Sequence, residues 1–168
     1  MHVYGSKDLI LTGDTDSDFQ TDKDARKSTS GSVFTLNAGA VVWRSIKESC
    51  IADSTMEAEY VAACEATKKA VWLKKFLTDL EVFPNMHLPI TLYCDNSGAV
   101  VNSREPRSHK RGKHIEQKYH LIKEIVHQGD VTLTEKISFE QNMANSFTRA
   151  LTAKVFESHL HGLGLRGL

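Results

Sequence analysis

Residues 57 to 80 contain neither glycine nor proline, so no residue in this long part of the chain would interrupt a helix. Small and apolar side chains recur there at steps of three or four residues: Ala62, Ala66, Ala70, Leu73, Leu77 and Leu80. This spacing places them on one face of an α-helix, and that face must pack against another layer. Ser54 or Thr55, followed by Glu57, supplies the cap and the acidic first turn of the helix.

The residues on either side of this helix predict the layer that it covers. Between residues 9 and 46, three runs rich in β-forming residues predict an antiparallel meander, with a polar connection at 20–30. Ile90–Cys94 predicts a strand that leads into a helix start, and residues 131–137 alternate like a further strand. Further helices are expected over 119–126, 142–151 and 154–163. The elements together predict an α/β domain.

The composition bounds the size and the class of the protein. With 168 residues, 40% of them hydrophobic, the chain can bury one ordinary core, so we expect a single domain over 1–168 with a leader at 1–8 and a frayed tail at 164–168. Lysine plus arginine and aspartate plus glutamate number 21 each, so any binding of nucleic acid would depend on local patches. The cysteines Cys50, Cys64 and Cys94 lack CxxC spacing and are expected to be buried, reduced thiols.

No apolar run in the sequence approaches the roughly 18 residues that a membrane helix needs, and the N-terminus does not resemble a signal peptide. We therefore expect a soluble intracellular protein that is not secreted and has no membrane partner.

Several carboxylates fall at the ends of the predicted elements. Strand alternation places Asp14, Asp16 and Asp18 on one face, Glu57 lies in the first helical turn, and Asp95 follows the strand Ile90–Cys94. Mg²⁺ takes oxygen ligands, and two such ions about 3.5–4 Å apart can promote phosphodiester hydrolysis. On spacing alone, the same acids are more typical of solvated strand ends and helix starts than of a metal site.

Longer blocks of sequence carry more information than these isolated acids. In order along the chain they are Thr15-Asp16-Ser17-Asp18-Phe19, Asp24-Ala25-Arg26-Lys27-Ser28-Thr29-Ser30-Gly31, Val42-Trp43-Arg44-Ser45, Ser54-Thr55-Met56-Glu57-Ala58-Glu59-Tyr60-Val61-Ala62-Ala63, Leu92-Tyr93-Cys94-Asp95-Asn96, Lys113-His114-Ile115 and Tyr119-His120. Together they resemble the ribonuclease H domain of copia-class LTR retrotransposon Pol polyproteins, from residue 11 to residue 163. The resemblance implies a ribonuclease H-like α/β fold, in which α-helices flank a mixed five-stranded β-sheet.

The same resemblance implies an endoribonuclease that hydrolyses the RNA strand of RNA–DNA hybrids with two Mg²⁺ ions, for which Mn²⁺ can substitute. Its catalytic and metal-binding residues would be Asp16, Glu57 and Asp95, with Asp18 as the alternative to Asp16. The family has a further acid in an Ala-Asp pair ahead of a Thr-Lys-Pro-Leu motif. Here Ala144-Asn145 precedes Thr148-Arg149-Ala150-Leu151, so the fourth catalytic and metal-binding position is the amide Asn145.

Asparagine offers a carbonyl oxygen to a cation but no charge. We therefore expect weak occupancy of the second metal site and slow or absent cleavage. The alternative function is a module that binds RNA–DNA hybrids with little or no catalysis.

Phosphate contacts are expected from the basic stretch 104–118. The candidate nucleic-acid-binding residues are Arg107, Lys110, Arg111, Lys113 and His114, although such a stretch is also typical of a solvated loop and helix face. The lysine pairs at 68–69 and 74–75 are secondary candidates.

The remaining predictions concern partners, metals and the core. His114 and His120 are six residues apart, so no zinc site is expected. The expected partners are an RNA–DNA hybrid and the reverse transcriptase domain of the parent polyprotein, in a cytoplasmic retrotransposon particle or in the nucleus. Trp43 and Trp72 are expected to fill the core.

Overall fold

The computed structural model describes residues 10–37, 39–81, 88–95, 100, 113–135 and 141–164, with the backbone alone at 113–115 and 135. In chain order, the described elements are strands β1 (Leu11–Asp22), β2 (Lys27–Leu36) and β3 (Gly39–Lys47), helix α1 (Thr55–Asp79), strand β4 (Ile90–Cys94), helix α2 (Lys113–Gln128), strand β5 (Val131–Glu135), a 3₁₀ helix (Met143–Phe147) and helix α3 (Ala153–Gly162).

The five strands form one mixed sheet in the order β3-β2-β1-β4-β5. Strands β1, β2 and β3 pair antiparallel, whereas β4 runs parallel to β1 and β5 runs parallel to β4. A parallel neighbour requires a crossover connection, and α1 lies in the crossover between β3 and β4. The predicted mixed five-stranded sheet with flanking helices is therefore confirmed.

One face of the sheet carries the main hydrophobic core. Phe34 and Leu92 from the strands pack in one buried cluster with Tyr60 and Leu73 of α1 and Ile122 of α2. Gly13 of β1 belongs to this face, since a Cβ there would lie 2.6 Å from a ring carbon of Phe34. The long apolar face predicted for residues 57–80 is thus the surface that covers the sheet.

The opposite face is covered by the C-terminal elements. Val33 of β2 packs there with Ala144 of the 3₁₀ helix and Leu163 at the end of α3. Asp14 pairs with Val33 across the strands, and neighbours in such a pair share a face. The alternating acids of β1 therefore face the 3₁₀ helix rather than α1.

Several local predictions differ from the structure. The polar segment 20–30 belongs mostly to strands, because β1 runs to Asp22 and β2 begins at Lys27, with left-handed backbone at Gln20 and Arg26. Helix α2 begins at Lys113, earlier than the predicted 119, and the predicted helix over 142–151 contains only the short 3₁₀ turn Met143–Phe147.

The prediction that the tryptophans fill the core is wrong. Trp43 is 60% exposed on the edge strand β3, and Trp72 is 51% exposed on α1. Trp72 stacks on Phe76 with ring centroids 5.3 Å apart, and the Lys69 ammonium lies 4.1 Å from its ring centroid. The exposed rings of Trp72 and Phe76 therefore gain contact from each other, and Trp72 also gains contact from a cation.

The cysteine prediction is confirmed for Cys64 and Cys94, which are buried thiols outside any disulfide, whereas Cys50 is only half-buried. None of the helices in the described part of the chain is long and apolar enough to cross a membrane. The predicted leader at 1–8 lies outside the described residues, as does the predicted tail apart from Gly164.

Candidate active site

Asp16 lies near the middle of β1 and is 1% exposed. The Thr148 hydroxyl donates a hydrogen bond to its Oδ2, and Arg149 Nη2 lies 3.1 Å from Oδ2 and 3.4 Å from Oδ1. Arg149 Nη2 also donates to the carbonyl oxygen of Ser17 at 2.9 Å. Burial raises the pKa of Asp16, and the contacts from Thr148 and Arg149 oppose that rise.

Asp14 lies two residues earlier on the same face of β1 and is also buried. Its Oδ2 accepts a hydrogen bond of 3.0 Å from the backbone N–H of Met143. Both acids therefore contact the C-terminal segment that contains the 3₁₀ helix. Asp18, the alternative to Asp16, is only half-buried further along the strand.

Glu57, the predicted catalytic acid of the helix, lies in the first turn of α1 and contacts the backbone at the helix start. Its carboxylate accepts a hydrogen bond of 2.8 Å from the backbone N–H of Asp53, and its own N–H donates to the Ser54 hydroxyl at 3.2 Å. The bond between Ser54 and the residue three positions later is one half of a capping box, and the Glu57 carboxylate bonds the N–H one residue before Ser54. Both contacts lie at the start of α1, and neither of them involves the side chain of another acid.

Glu59 is the helical acid that joins Asp16. It is 6% exposed, and its Oε1 accepts a hydrogen bond of 3.1 Å from the backbone N–H of Ser17, the residue after Asp16. Burial, then the negative charge of Asp16 and to a lesser extent that of Asp95, raises the pKa of Glu59 to about 9. Side chains two residues apart on an α-helix are separated by about 200° of rotation around its axis, which is why Glu57 and Glu59 have different neighbours.

Asp95 follows directly after β4, the strand that runs parallel to β1. The Asn142 side-chain amide donates to Asp95 Oδ1 at 3.0 Å and to the Thr15 carbonyl oxygen at 2.9 Å, so one residue ties β1 to the end of β4. Burial raises the pKa of Asp95 to about 6, and the charges of Asp16 and Asp14 add to that rise. The predicted Asp95 thus belongs to the same electrostatic cluster as Asp16 and Glu59.

The predicted Asn145 is fully buried within the 3₁₀ helix. Its backbone carbonyl oxygen accepts hydrogen bonds from the backbone N–H groups of Thr148, at 3.2 Å, and Arg149, at 3.1 Å. These bonds form the turn that carries Thr148 and Arg149 to Asp16. Gly31, the cross-strand partner of Asp16, makes room for the turn, because a Cβ there would lie 2.7 Å from the Thr148 methyl carbon.

The donor atoms of the cluster suit a hard cation. Within the described part of the chain, Glu59 Oε2 and Asp95 Oδ2 are buried acceptors without a hydrogen-bond partner. Unsatisfied carboxylate oxygens of this kind are the ligands that Mg²⁺ and Mn²⁺ prefer. However, no three His, Cys, Asp or Glu side chains among the described residues are arranged closely enough to hold a metal ion as they stand. The cation that pairs with Asp16 is the guanidinium of Arg149.

The predicted phosphate-binding residues lie mostly outside the described part of the chain. Arg107, Lys110 and Arg111 lie outside the described residues, and Lys113 and His114 are described only as backbone in the first turn of α2. Of the secondary candidates, Lys68 pairs with Glu65 at 3.1 Å and Lys74 pairs with Asp130 at 3.0 Å.

Sequence reasoning missed four residues of this cluster: Glu59, Asn142, Thr148 and Arg149. For Glu59 a signal was available, since Ser54 with Glu57 has the Ser-x-x-Glu spacing of a capping box and thereby assigns Glu57 to the helix start. Thr148 and Arg149 stand in the motif that the resemblance singled out, but the sequence carries no sign of their contacts with Asp16. Those contacts, and the role of Asn142, depend on how the 3₁₀ helix packs against β1.

Comparison with solved structures defines the class of fold. A ribonuclease H1 isolated from compost by a metagenomic approach superposes with a TM-score of 0.61 at 17% identity, over 83% of this chain and 92% of that chain. The N-terminal ribonuclease H domain of rv2228c from Mycobacterium tuberculosis gives a TM-score of 0.59 at 11% identity, over 91% of this chain and 97% of that chain. The chain therefore has the ribonuclease H fold.

Sequence comparison places the chain more narrowly. It is 40% identical over 154 residues to the retrovirus-related Pol polyprotein from transposon TNT 1-94 of Nicotiana tabacum, and 30% identical over 157 residues to that from transposon RE1 of Arabidopsis thaliana. The matches cover 92% and 94% of this chain but only 11% and 10% of those polyproteins. No protein-family model matches the sequence. The chain is a homologue of one segment of the retrovirus-related Pol polyproteins of plant transposons, and the predicted resemblance is confirmed.

Proposed function

We propose that this chain is an endoribonuclease of the ribonuclease H type, which hydrolyses the RNA strand of RNA–DNA hybrids. The observation that carries the proposal is the cluster formed by Asp16, Glu59 and Asp95, three buried or half-buried carboxyl groups from β1, α1 and the end of β4. A ribonuclease H1 of the same fold has been crystallised in complex with an RNA/DNA hybrid, with a TM-score of 0.57 to this chain. The homology to transposon Pol polyproteins supports the same substrate.

Asp16, Glu59 and Asp95 would hold the metal, with the neutral side chain of Asn145 as a fourth donor. Bound Mg²⁺ or Mn²⁺ ions would supply an activated water and stabilise the leaving oxygen of the phosphodiester. In this proposal Glu59 replaces Glu57, whose carboxylate is engaged at the helix cap.

The protein's own contribution is to orient the carboxylates. The Ser17 N–H fixes one oxygen of Glu59, and the Asn142 amide fixes one oxygen of Asp95. In each case the other oxygen is left as an acceptor that no described residue satisfies. Asn142 is therefore a positioning residue, since it acts through Asp95.

Substrate selection would rest on the ribose 2′-hydroxyl and on the shape of the minor groove, while phosphates would be held by Arg107, Lys110, Arg111, Lys113 and His114. By homology to the transposon polyproteins, the reverse transcriptase of a parent polyprotein would be a partner. A cytoplasmic particle or the nucleus would be the place of action.

A second function, the binding of RNA–DNA hybrids with weak or no cleavage, is favoured by two observations. The fourth position is the amide Asn145, and Arg149 neutralises the charge of Asp16 at 3.1 Å. Both features lower the negative charge available to a divalent cation.

Cleavage of a labelled RNA–DNA hybrid with Mg²⁺ or Mn²⁺ tests the proposal, beside an Asp95→Asn variant and a DNA duplex of the same sequence. We expect the wild type to cut only the RNA strand of the hybrid and the variant to lose at least about 100-fold in rate, because one electrostatic group of the site is lost. Equal cutting by both proteins would contradict the assigned site. Tight binding of the hybrid without any cutting would support the second function.

A further inference from the structure

Arg149 supplies the positive charge within the cluster of acids. Its guanidinium is within 3.4 Å of both carboxylate oxygens of Asp16, and Thr148 occupies Oδ2 from another direction. The same guanidinium opposes the rise in the pKa of Asp16, Glu59 and Asp95, so its field reaches all three carboxyl groups.

A guanidinium and a divalent ion are competitors at such a carboxylate. Mg²⁺ and Mn²⁺ bind carboxylate oxygens directly, and two cations within a few ångströms in a buried site repel each other strongly. Asp16 is 1% exposed on the central strand of the sheet, whereas the Arg149 side chain is 30% exposed. Displacement would therefore move Arg149 rather than Asp16.

We propose that Arg149 is an internal counter-ion that occupies the cation position beside Asp16 and must leave it before a divalent ion binds. This inference rests on the proposed function, since it concerns the same metal-binding cluster. It makes metal binding an exchange of one cation for another, so the metal-free site keeps a compensating charge and the affinity for metal is reduced.

The test is a titration of the metal-free full chain with Mn²⁺, followed by calorimetry or by the electron paramagnetic resonance signal of free Mn²⁺. The variants are Arg149→Gln, which removes the charge, and Arg149→Lys, which keeps it. Lys75→Gln is a control for the loss of one positive charge, because Lys75 is exposed sixteen residues along α1 from Glu59, about 24 Å away along the helix axis.

We expect Arg149→Gln to bind Mn²⁺ at least about tenfold more tightly than the wild type, since a charged hydrogen-bonded group no longer competes. Arg149→Lys should change less, and Lys75→Gln should match the wild type. In EDTA, Arg149→Gln should melt at a lower temperature than the wild type, and saturating Mn²⁺ should reduce the difference.

The outcomes separate this inference from the proposed function. If Arg149→Gln binds Mn²⁺ no more tightly than the wild type while both cut the hybrid, the counter-ion role is overturned and the nuclease function stands. If Arg149→Gln binds more tightly but neither protein cuts, the counter-ion role stands and the nuclease function fails. If neither protein binds Mn²⁺, removal of Arg149 has opened no cation site, and both are overturned.

Discussion

At the scale of single residues, the balance of charge around Asp16 determines what the cluster can bind. Asp14, Asp16, Glu59 and Asp95 bring acidic groups together, and burial together with mutual repulsion raises the pKa of Glu59 to about 9 and that of Asp95 to about 6. A cation relieves such crowding, whether it is the guanidinium of Arg149 or a divalent metal.

Replacement of Asn145 by aspartate should raise the rate of hybrid cleavage by about 10- to 100-fold, the range found when a group that supports a metal site is altered. The reason is that a carboxylate adds charge where the amide offers only a neutral oxygen. The measurement is single-turnover cleavage with Mg²⁺, with Asn145→Ala as the control that removes the donor altogether. If Asn145→Asp leaves the rate of an active wild type unchanged, the missing-ligand argument is wrong.

Glu48 is a buried acid outside the metal-binding cluster, and its burial predicts that the free energy of unfolding depends on pH. It is buried, its Oε1 accepts hydrogen bonds from Ser17 and Ser30, and burial raises its pKa above the ordinary value of 4.5, against the opposing effects of both serines and Lys118. Because the folded pKa is raised, the stability that Glu48 contributes is present below pH 4.5 and is lost as pH rises through the folded pKa.

A Glu48→Gln variant should therefore gain free energy of unfolding relative to the wild type as pH rises from 4.5 through the folded pKa of Glu48. Urea denaturation of both proteins at several pH values measures the difference, and titrations common to the two proteins cancel. If the difference in free energy of unfolding stays constant with pH, the pKa of Glu48 is not raised by folding.

At the scale of elements, the 3₁₀ helix Met143–Phe147 is the piece that completes the cluster. It packs on the face of β1 and β2 opposite α1, and the turn after it carries Thr148 and Arg149 to Asp16. Asn142, at its N-terminus, holds Asp95. The close approach depends on Gly31, where a Cβ would also lie 3.0 Å from the Ala144 carbonyl oxygen.

Gly31→Ala should lower the free energy of unfolding by about 1–3 kcal/mol, the usual cost of overpacking, because the 3₁₀ helix would have to move away from the sheet. It should also lower cleavage, since Thr148 and the cluster would be displaced together. Gly39→Ala is the matched control, because the nearest atom of the described residues to a Cβ at Gly39 would be the Leu36 carbonyl oxygen, at 3.6 Å. Urea denaturation of the two variants is the measurement, and equal losses of stability would contradict the close packing at Gly31.

The elements differ in how far the sequence predicts them. Helix α1 and strand β4 follow from strong periodicity and flanking signals, and the structure has them at Thr55–Asp79 and Ile90–Cys94. The 3₁₀ helix has too few residues for a period to distinguish it from an α-helix, so residues 142–151 were predicted as one. The polar segment 20–30 gave no sign of strand because its pairing with the opposite strand depends on tertiary contacts.

At the scale of the whole molecule, the mixed sheet brings together acids that are distant in the sequence. The antiparallel hairpin of β1 and β2 supports Asp16, the parallel partner β4 ends at Asp95, and α1 covers the sheet so that Glu59 reaches the backbone of Ser17. The resemblance to retrotransposon ribonuclease H predicted this fold correctly. Within the cluster, strand alternation predicted that Asp14, Asp16 and Asp18 share a face and that Asp95 lies at a strand end, and the resemblance selected Asp16 and Asp95. The choice between Glu57 and Glu59 depends on which side of α1 faces β1.

The measurement that tests the account most directly is cleavage of a labelled RNA–DNA hybrid by Glu59→Gln and Glu57→Gln, each compared with the wild type in Mg²⁺ and in Mn²⁺. The glutamine side chain keeps an oxygen that can accept the Asp53 N–H, so Glu57→Gln retains the helix start and should cut within about twofold of the wild type. Glu59→Gln should lose at least about 100-fold in rate, because a carboxylate of the cluster becomes neutral. Loss of cutting in Glu57→Gln with full activity in Glu59→Gln would contradict the site proposed for this chain.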